Sequence, residues 1–152
     1  MAIHVRRVVT GHDENGKAVV KIDDAGQHVR SNRANMTQQL IWTTDDLPVR
    51  FSDEGADRGA RGIGTTIKNG SVFRVIEFEP GVVPRNHRTD SIDYAVVISG
   101  EIDMEMDDTV VHLKAGDVLV QRGTIHNWVN NGSAPCVIAF VLISAEGDTA
   151  VG

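Results

Sequence analysis

Between residues 72 and 143 the chain is a succession of short apolar runs, each closed by a turn signal, and no stretch in it has the period of a helix. The runs cover residues 72–79, 92–98, 102–106, 110–113, 118–121, 127–129 and 137–143. Between them stand Glu79-Pro80-Gly81, Ser99-Gly100, Asp107-Asp108, Ala115-Gly116-Asp117, Arg122-Gly123 and Asn130-Asn131-Gly132-Ser133. Strands this short and this closely spaced pack as a β-sandwich or barrel. One of them is unusual, because Tyr94-Ala95-Val96-Val97-Ile98 is apolar on both faces where a half-exposed strand would alternate. Something is therefore expected to cover its outer side: an N-terminal hairpin of the same chain, or one exchanged with a second copy. A homodimer is expected on that ground.

The N-terminal hairpin is read from β-branched runs at residues 3–9 and 17–22, joined through an Asn15-Gly16 turn. A polar connection through Ser31, Asn32 and Asn35 leads to a further strand at residues 38–43. Residues 46–70 hold Pro48, five glycines and many charges without apolar periodicity, which predicts a long loop or lid. The organisation expected is thus one domain: N-terminal strands over 1–45, the loop over 46–70 and the barrel over 71–145.

A length of 152 residues with 41% hydrophobic content supports a real core. Fifteen basic against twenty-one acidic residues give a net charge of −6, which argues against nucleic acid and anionic membranes as partners. No apolar run reaches membrane-spanning length and none resembles a signal peptide. The single cysteine, Cys136, lies in an apolar run as a buried thiol. A cytoplasmic protein is expected.

Polar residues with chemical potential gather around two places. Strand parity puts Asp93 on one face with Ala95 and Val97, while His126 shares a face with Trp128 and Asn130, and His87 with Thr89. In a closed barrel His87, Asp93 and His126 can all point inward. Two imidazoles and a carboxylate in an apolar cavity are the ligand set of a non-haem iron or manganese site, and equally suit zinc.

Gly81, His87, Thr89, Asp93 and Gly100, followed by Gly116-Asp117, Gly123, His126 and Asn130, resemble the two spaced motifs of the cupins. HRTDSIDY followed by GDVLVQRGTIHNWVN is similar, more narrowly, to small single-domain cupins with an N-terminal extension. The resemblance implies an all-β, double-stranded β-helix barrel, commonly dimeric, with a divalent metal (iron, manganese, nickel or zinc) on His87, Asp93 and His126, and no nucleotide cofactor. Three positions depart from the cupin pattern. Thr89 stands where a second histidine ligates, Asp93 where glutamate is usual, and Gln121 at the proline of the second motif.

Arg85, Arg88 and Arg122 flank the motif histidines and fit capture of a carboxylate or enolate, or else ion pairing with Asp90 and Asp117. Arg85, Arg122, Thr89 and Trp128 are the expected substrate contacts, Trp128 as an aromatic wall. Tyr94 has the wrong parity for the cavity. Arg74 shares parity with apolar neighbours, and its expected partner is Asp93 or Glu105.

The function expected is that of a small-molecule enzyme whose metal acts as a Lewis acid on an anionic, aromatic or polyketide-like substrate. Dioxygenation, decarboxylation, dehydration and isomerisation share the first step. Two other uses fit the same residues. One is a metal-free cup that binds a small molecule as sensor or carrier, and the other is a metal-free enzyme with His126 and Asp93 as base and orienting partner.

Overall fold

The computed structural model describes residues 3–51 and 55–147. All of its regular structure is β. In chain order the strands are β1 (Arg6–His12), β2 (Ala18–Ala25), β3 (Val29–Arg33), β4 (Met36–Thr44), β5 (Ser71–Phe78), β6 (Ser91–Ser99), β7 (Glu101–Glu105), β8 (Val110–Lys114), β9 (Val118–Arg122), β10 (Asn127–Val129) and β11 (Cys136–Ser144). All seven apolar runs beyond residue 71 become strands, β5 to β11. They form a six-stranded sheet in the order β3-β4-β5-β11-β6-β9 and a three-stranded sheet in the order β10-β7-β8.

The two sheets face one another because each strand offers alternate apolar residues to the space between them. β6 and β11 alternate buried with less buried positions along almost their whole length. The core joins Val72, Ala95, Val97, Ile138, Phe140 and Leu142 of the larger sheet to Ile102, Met104, Leu113 and Trp128 of the smaller one. Gly100 makes the turn that carries the chain between the sheets. Its φ is +74°, and a Cβ there would overlap the backbone of Pro135, so only glycine fits without displacement.

β1 and β2 form the expected hairpin, shifted toward the C-terminus of the residues read from sequence. Asp13 Oδ1 accepts from the N–H groups of Asn15 and Lys17, and Gly16 takes a φ of +76°. The hairpin covers a different part of the barrel from the part expected. Ile3 and Val5 pack with Ile41 and Val75 on the outer face of β4 and β5. Gln39, fully buried there, pairs with Val5 as a strand would: its Oε1 accepts from Val5 N–H and its Nε2 donates to Val5 O, both at 3.1 Å. The outer face of β6 is left bare, with Tyr94 52% exposed and Val96 and Ile98 comparably so, and β9 beside it exposes Val118 and Val120.

Two segments differ from the sequence expectation. The polar connection after residue 28 contains a strand, β3, which pairs antiparallel with β4 across a turn in which Asn35 adopts a φ of +61°. The described part of the 46–70 loop is pinned. Asp57 accepts from Arg7 Nη1 and Nη2 at 2.8 and 2.7 Å and contacts His28 Nε2 at 2.9 Å. Asp45 holds both Arg58 and Arg61. These ties bring Ile63, Gly64 and Thr65 against the open end of the barrel.

Candidate functional site

A cavity of about 200 Å³ opens between the sheets, with Ile63, Gly64 and Thr65 as one wall. Its volume is below the roughly 300–1,000 Å³ that encloses a drug-sized ligand, so a small molecule fits. Two registered rows supply the floor: Gln121, Asp93 and Leu142 from one, Phe140 and Arg74 from the next.

His87 and His126 stand side by side, their ring planes inclined at 50°. Their backbones form an isolated antiparallel bridge, His87 N–H donating to His126 O at 3.0 Å and His126 N–H to His87 O at 2.9 Å. The ring centroids are 4.5 Å apart. A carbonyl can only accept, so the contacts of His87 Nδ1 with Arg85 O (3.0 Å) and of His126 Nδ1 with Thr124 O (2.9 Å) place the proton of each neutral ring on Nδ1. Each Nε2 then carries a lone pair. Burial lowers both imidazole pKa values, and the neighbouring Arg85 cation lowers them further.

Asp93 lies in the same cavity with the opposite perturbation, since burial raises its pKa and the Ser91 hydroxyl partly offsets this. Ser91 Oγ donates to Asp93 Oδ1 at 2.5 Å and shares a 2.7 Å hydrogen bond with Thr89 Oγ1. Thr89, Asp93 and the two histidines all line the cavity. Even so, among the described residues no three His, Cys, Asp or Glu side chains stand close enough together to hold a metal ion. The expected His87–Asp93–His126 set thus shares a cavity without converging as a three-donor site. The imidazoles supply two nitrogen donors, and the carboxylate is held toward Ser91.

The expected substrate contacts separate into two groups. Thr89, Arg85 and Trp128 line the cavity. Trp128 is also a core residue, its ring packed against Phe78, Phe140 and His126. Arg122 does not line it, because odd and even positions of β9 face opposite ways: Gln121 is buried inward and Arg122 exposed outward. Arg88 bonds Gly123 O and Asp90.

Arg74 points inward as its parity indicated; of the two expected acidic partners, Asp93 acts on it through charge alone and neither hydrogen-bonds it. Its Nη1 donates to Gln38 Oε1 at 2.9 Å, and its Nη2 to Gly64 O and Thr65 O at 3.0 and 2.9 Å. Glu105 is engaged instead by Asn127 Nδ2. Arg33, Asn32 and Gln38 also line the cavity. Sequence reasoning missed Arg33 and Asn32 because β3 carries no apolar alternation, and it missed Gln38, inside the expected strand, because nothing local shows that β4 faces the cavity.

Comparison with known proteins fits this geometry. Residues 74–143 match the family described as Cupin domain. Over 149 residues the chain is 38% identical to the cupin-domain-containing oxidoreductase fogC of Aspergillus ruber, covering 93% of this chain and 73% of that protein. The chain is a cupin. A second relative of this cupin is the phomopsin biosynthesis cluster protein C' of Diaporthe leptostromiformis, 37% identical over 150 residues, with 92% and 78% of the two chains covered. Among solved structures, the ethanolamine utilization protein Q of Salmonella typhimurium superposes with a TM-score of 0.53 at 11% identity, over 94% of this cupin and 98% of that chain. That likeness concerns the fold.

Proposed function

We propose that this cupin is an enzyme acting on a small anionic molecule with an aromatic or polyketide-like body, and that its paired histidines move protons on that molecule. The observation that carries the reading is the pair of neutral imidazoles, each with Nε2 unprotonated, in a cavity whose charged walls include Arg33, Arg74 and Arg85. A histidine Nε2 takes a proton from a carbon beside a carbonyl, the electron pair moves to the carbonyl oxygen, and the Arg85 cation offsets the new negative charge. Returning the proton to another carbon gives isomerisation; delivering it to a departing hydroxyl gives dehydration. One relative bears the name oxidoreductase and another the name biosynthesis cluster protein, which supports an enzyme of biosynthesis without selecting the reaction.

A second reading is favoured by the two free Nε2 positions. A divalent metal, whether iron, manganese, nickel or zinc, would take His87 and His126 as protein donors and supply Lewis acidity toward substrate oxygens when bound. Incubating the protein with a panel of aromatic and polyketide-like acids, with product masses followed by chromatography, separates the readings. Proton transfer alone predicts conversion that survives chelator and falls at least about 100-fold in His126→Gln. Loss on chelation with recovery on added metal favours the metal, whereas binding without conversion would leave a carrier or sensor and refute the enzyme.

The bare outer face of β6 and β9 supports a homodimer, with Tyr94, Val96, Val118 and Val120 at its centre. Light scattering of the wild type and of Val118→Lys tests it: a dimer that the lysine dissociates is expected, and a wild-type monomer refutes it. A reducing, cytoplasmic setting fits the buried free thiol of Cys136.

A further inference from the structure

Arg74 is 8% exposed, and its hydrogen bonds reach no carboxylate: Asp93 acts on it only through its charge, from across the cavity floor. Of the five N–H groups of a guanidinium, three are spent on Gln38 Oε1, Gly64 O and Thr65 O. Nε has no partner. All three acceptors are neutral, so they fix the orientation of the cation without cancelling its charge. A buried charge left in this state is costly unless a counter-ion arrives.

The floor of the cavity shows where such a counter-ion belongs. Arg74 on β5 and Asp93 on β6 flank β11, which contributes Phe140 and Leu142 between them. Two strand spacings put their backbones roughly 10 Å apart. A molecule lying across Phe140 and Leu142 therefore has Arg74 at one end and Asp93 at the other, on the side of the cavity that also holds Gln121 across the Asp93 pair. The two N–H groups left over, on Nε and Nη1, beside apolar Ile63 and Ile76, suit a monoanion on an apolar body.

We infer that Arg74 is the anchor for a carboxylate of the substrate, held so that the apolar remainder crosses Phe140 and Leu142 toward the histidine pair. This rests on the reading of the cavity as the catalytic site and adds to it the charged group that the substrate must carry. Arg74 would then set specificity, while the histidines carry out the chemistry.

The test uses the full chain and matched probes: benzoate, cinnamate and hexanoate against benzamide, cinnamamide and hexanamide, titrated to millimolar concentration by calorimetry. Wild type is expected to prefer at least one acid over its amide by about 10- to 100-fold. Arg74→Gln should erase that preference, Arg74→Lys should keep part of it through its charge, and His126→Gln should leave it intact. An undiminished preference in both Arg74 variants, or no preference in wild type, overturns the anchor. Should Arg74→Gln fail to fold, Arg74→Lys decides, with a loss of several-fold expected from its missing Nε–H. If amides are converted as readily as acids, the anchor fails and the catalytic reading stands; if acids bind selectively and are never converted, the reverse holds.

Discussion

Asp57→Asn isolates the device that holds the N-terminal hairpin and the cavity wall in register. Arg7, 3% exposed, is gripped by Asp24 through Nε and Nη2 at 2.9 Å and by Asp57 through Nη1 and Nη2. It also donates to Ile41 O at 3.1 Å. The amide removes one charged partner and leaves the other two contacts, so the loss is less than that of an orphaned ion. Two charge-assisted hydrogen bonds at partial burial are worth about 2–3 kcal/mol, which for a chain of this size lowers Tm by about 5–10 °C. The pH dependence has a definite sign. Hydrogen bonds from Arg7, then from His28 and the Gly59 N–H, hold the Asp57 pKa well below its ordinary 3.8. Its stabilisation is therefore complete above about pH 4 and declines as pH falls toward the folded value. Urea unfolding of wild type and variant at pH 7, 5 and 3 should give a constant gap at the first two and a narrower one at the third. A gap under about 0.5 kcal/mol at pH 7, the ordinary effect of a surface change, would refute the clamp.

Other outcomes follow from single contacts. Gly100→Ala should destabilise by at least about 1–2 kcal/mol, the cost of a left-handed φ, with more from displacing Pro135, as read by thermal melts. Gln39→Leu strands the backbone N–H and C=O of Val5 and should cost about 2–3 kcal/mol, with faster amide exchange at Val5. The Cys136 thiol, pushed up to about 11 by burial, should resist a thiol reagent at pH 8 until denaturant is added. Because burial lowers the histidine pKa values below 6.5, turnover should rise with pH through a midpoint under that value and be level at neutrality.

What could be read before the structure, and what could not, divides by the range of the interaction. Residues 72–143 announce themselves as strands because each apolar position answers to the nearest core, and the parity of Asp93, His126 and Arg74 followed from the two-residue period alone. β3 did not, since Val29-Arg30-Ser31-Asn32-Arg33 has no apolar alternation and is a strand only because β4 offers it hydrogen bonds. The same limit applies to Arg74. Its inward direction was legible, but its partners are backbone carbonyls of Gly64 and Thr65, whose position depends on Asp57, Arg7 and a hairpin distant in sequence. The hairpin docks on β4 and β5 because a buried glutamine imitates a strand there. Composition gives no sign of that.

The departures from the cupin pattern are joined physically. Thr89, standing in place of a histidine, bonds Ser91, and Ser91 in turn bonds Asp93, so the hydroxyl that replaces one usual metal donor occupies, through one relay, an oxygen of another. A carboxylate satisfied in this way needs a cation less, and its raised pKa brings it closer to holding a proton. The two histidines move in the opposite direction, toward the unprotonated form. Environments that push an acid up and its neighbouring bases down supply donor and acceptor in one cavity. His126→Gln should therefore lower turnover at least about 100-fold. A variant that keeps both the rate and the profile would show that the imidazole pair is structural.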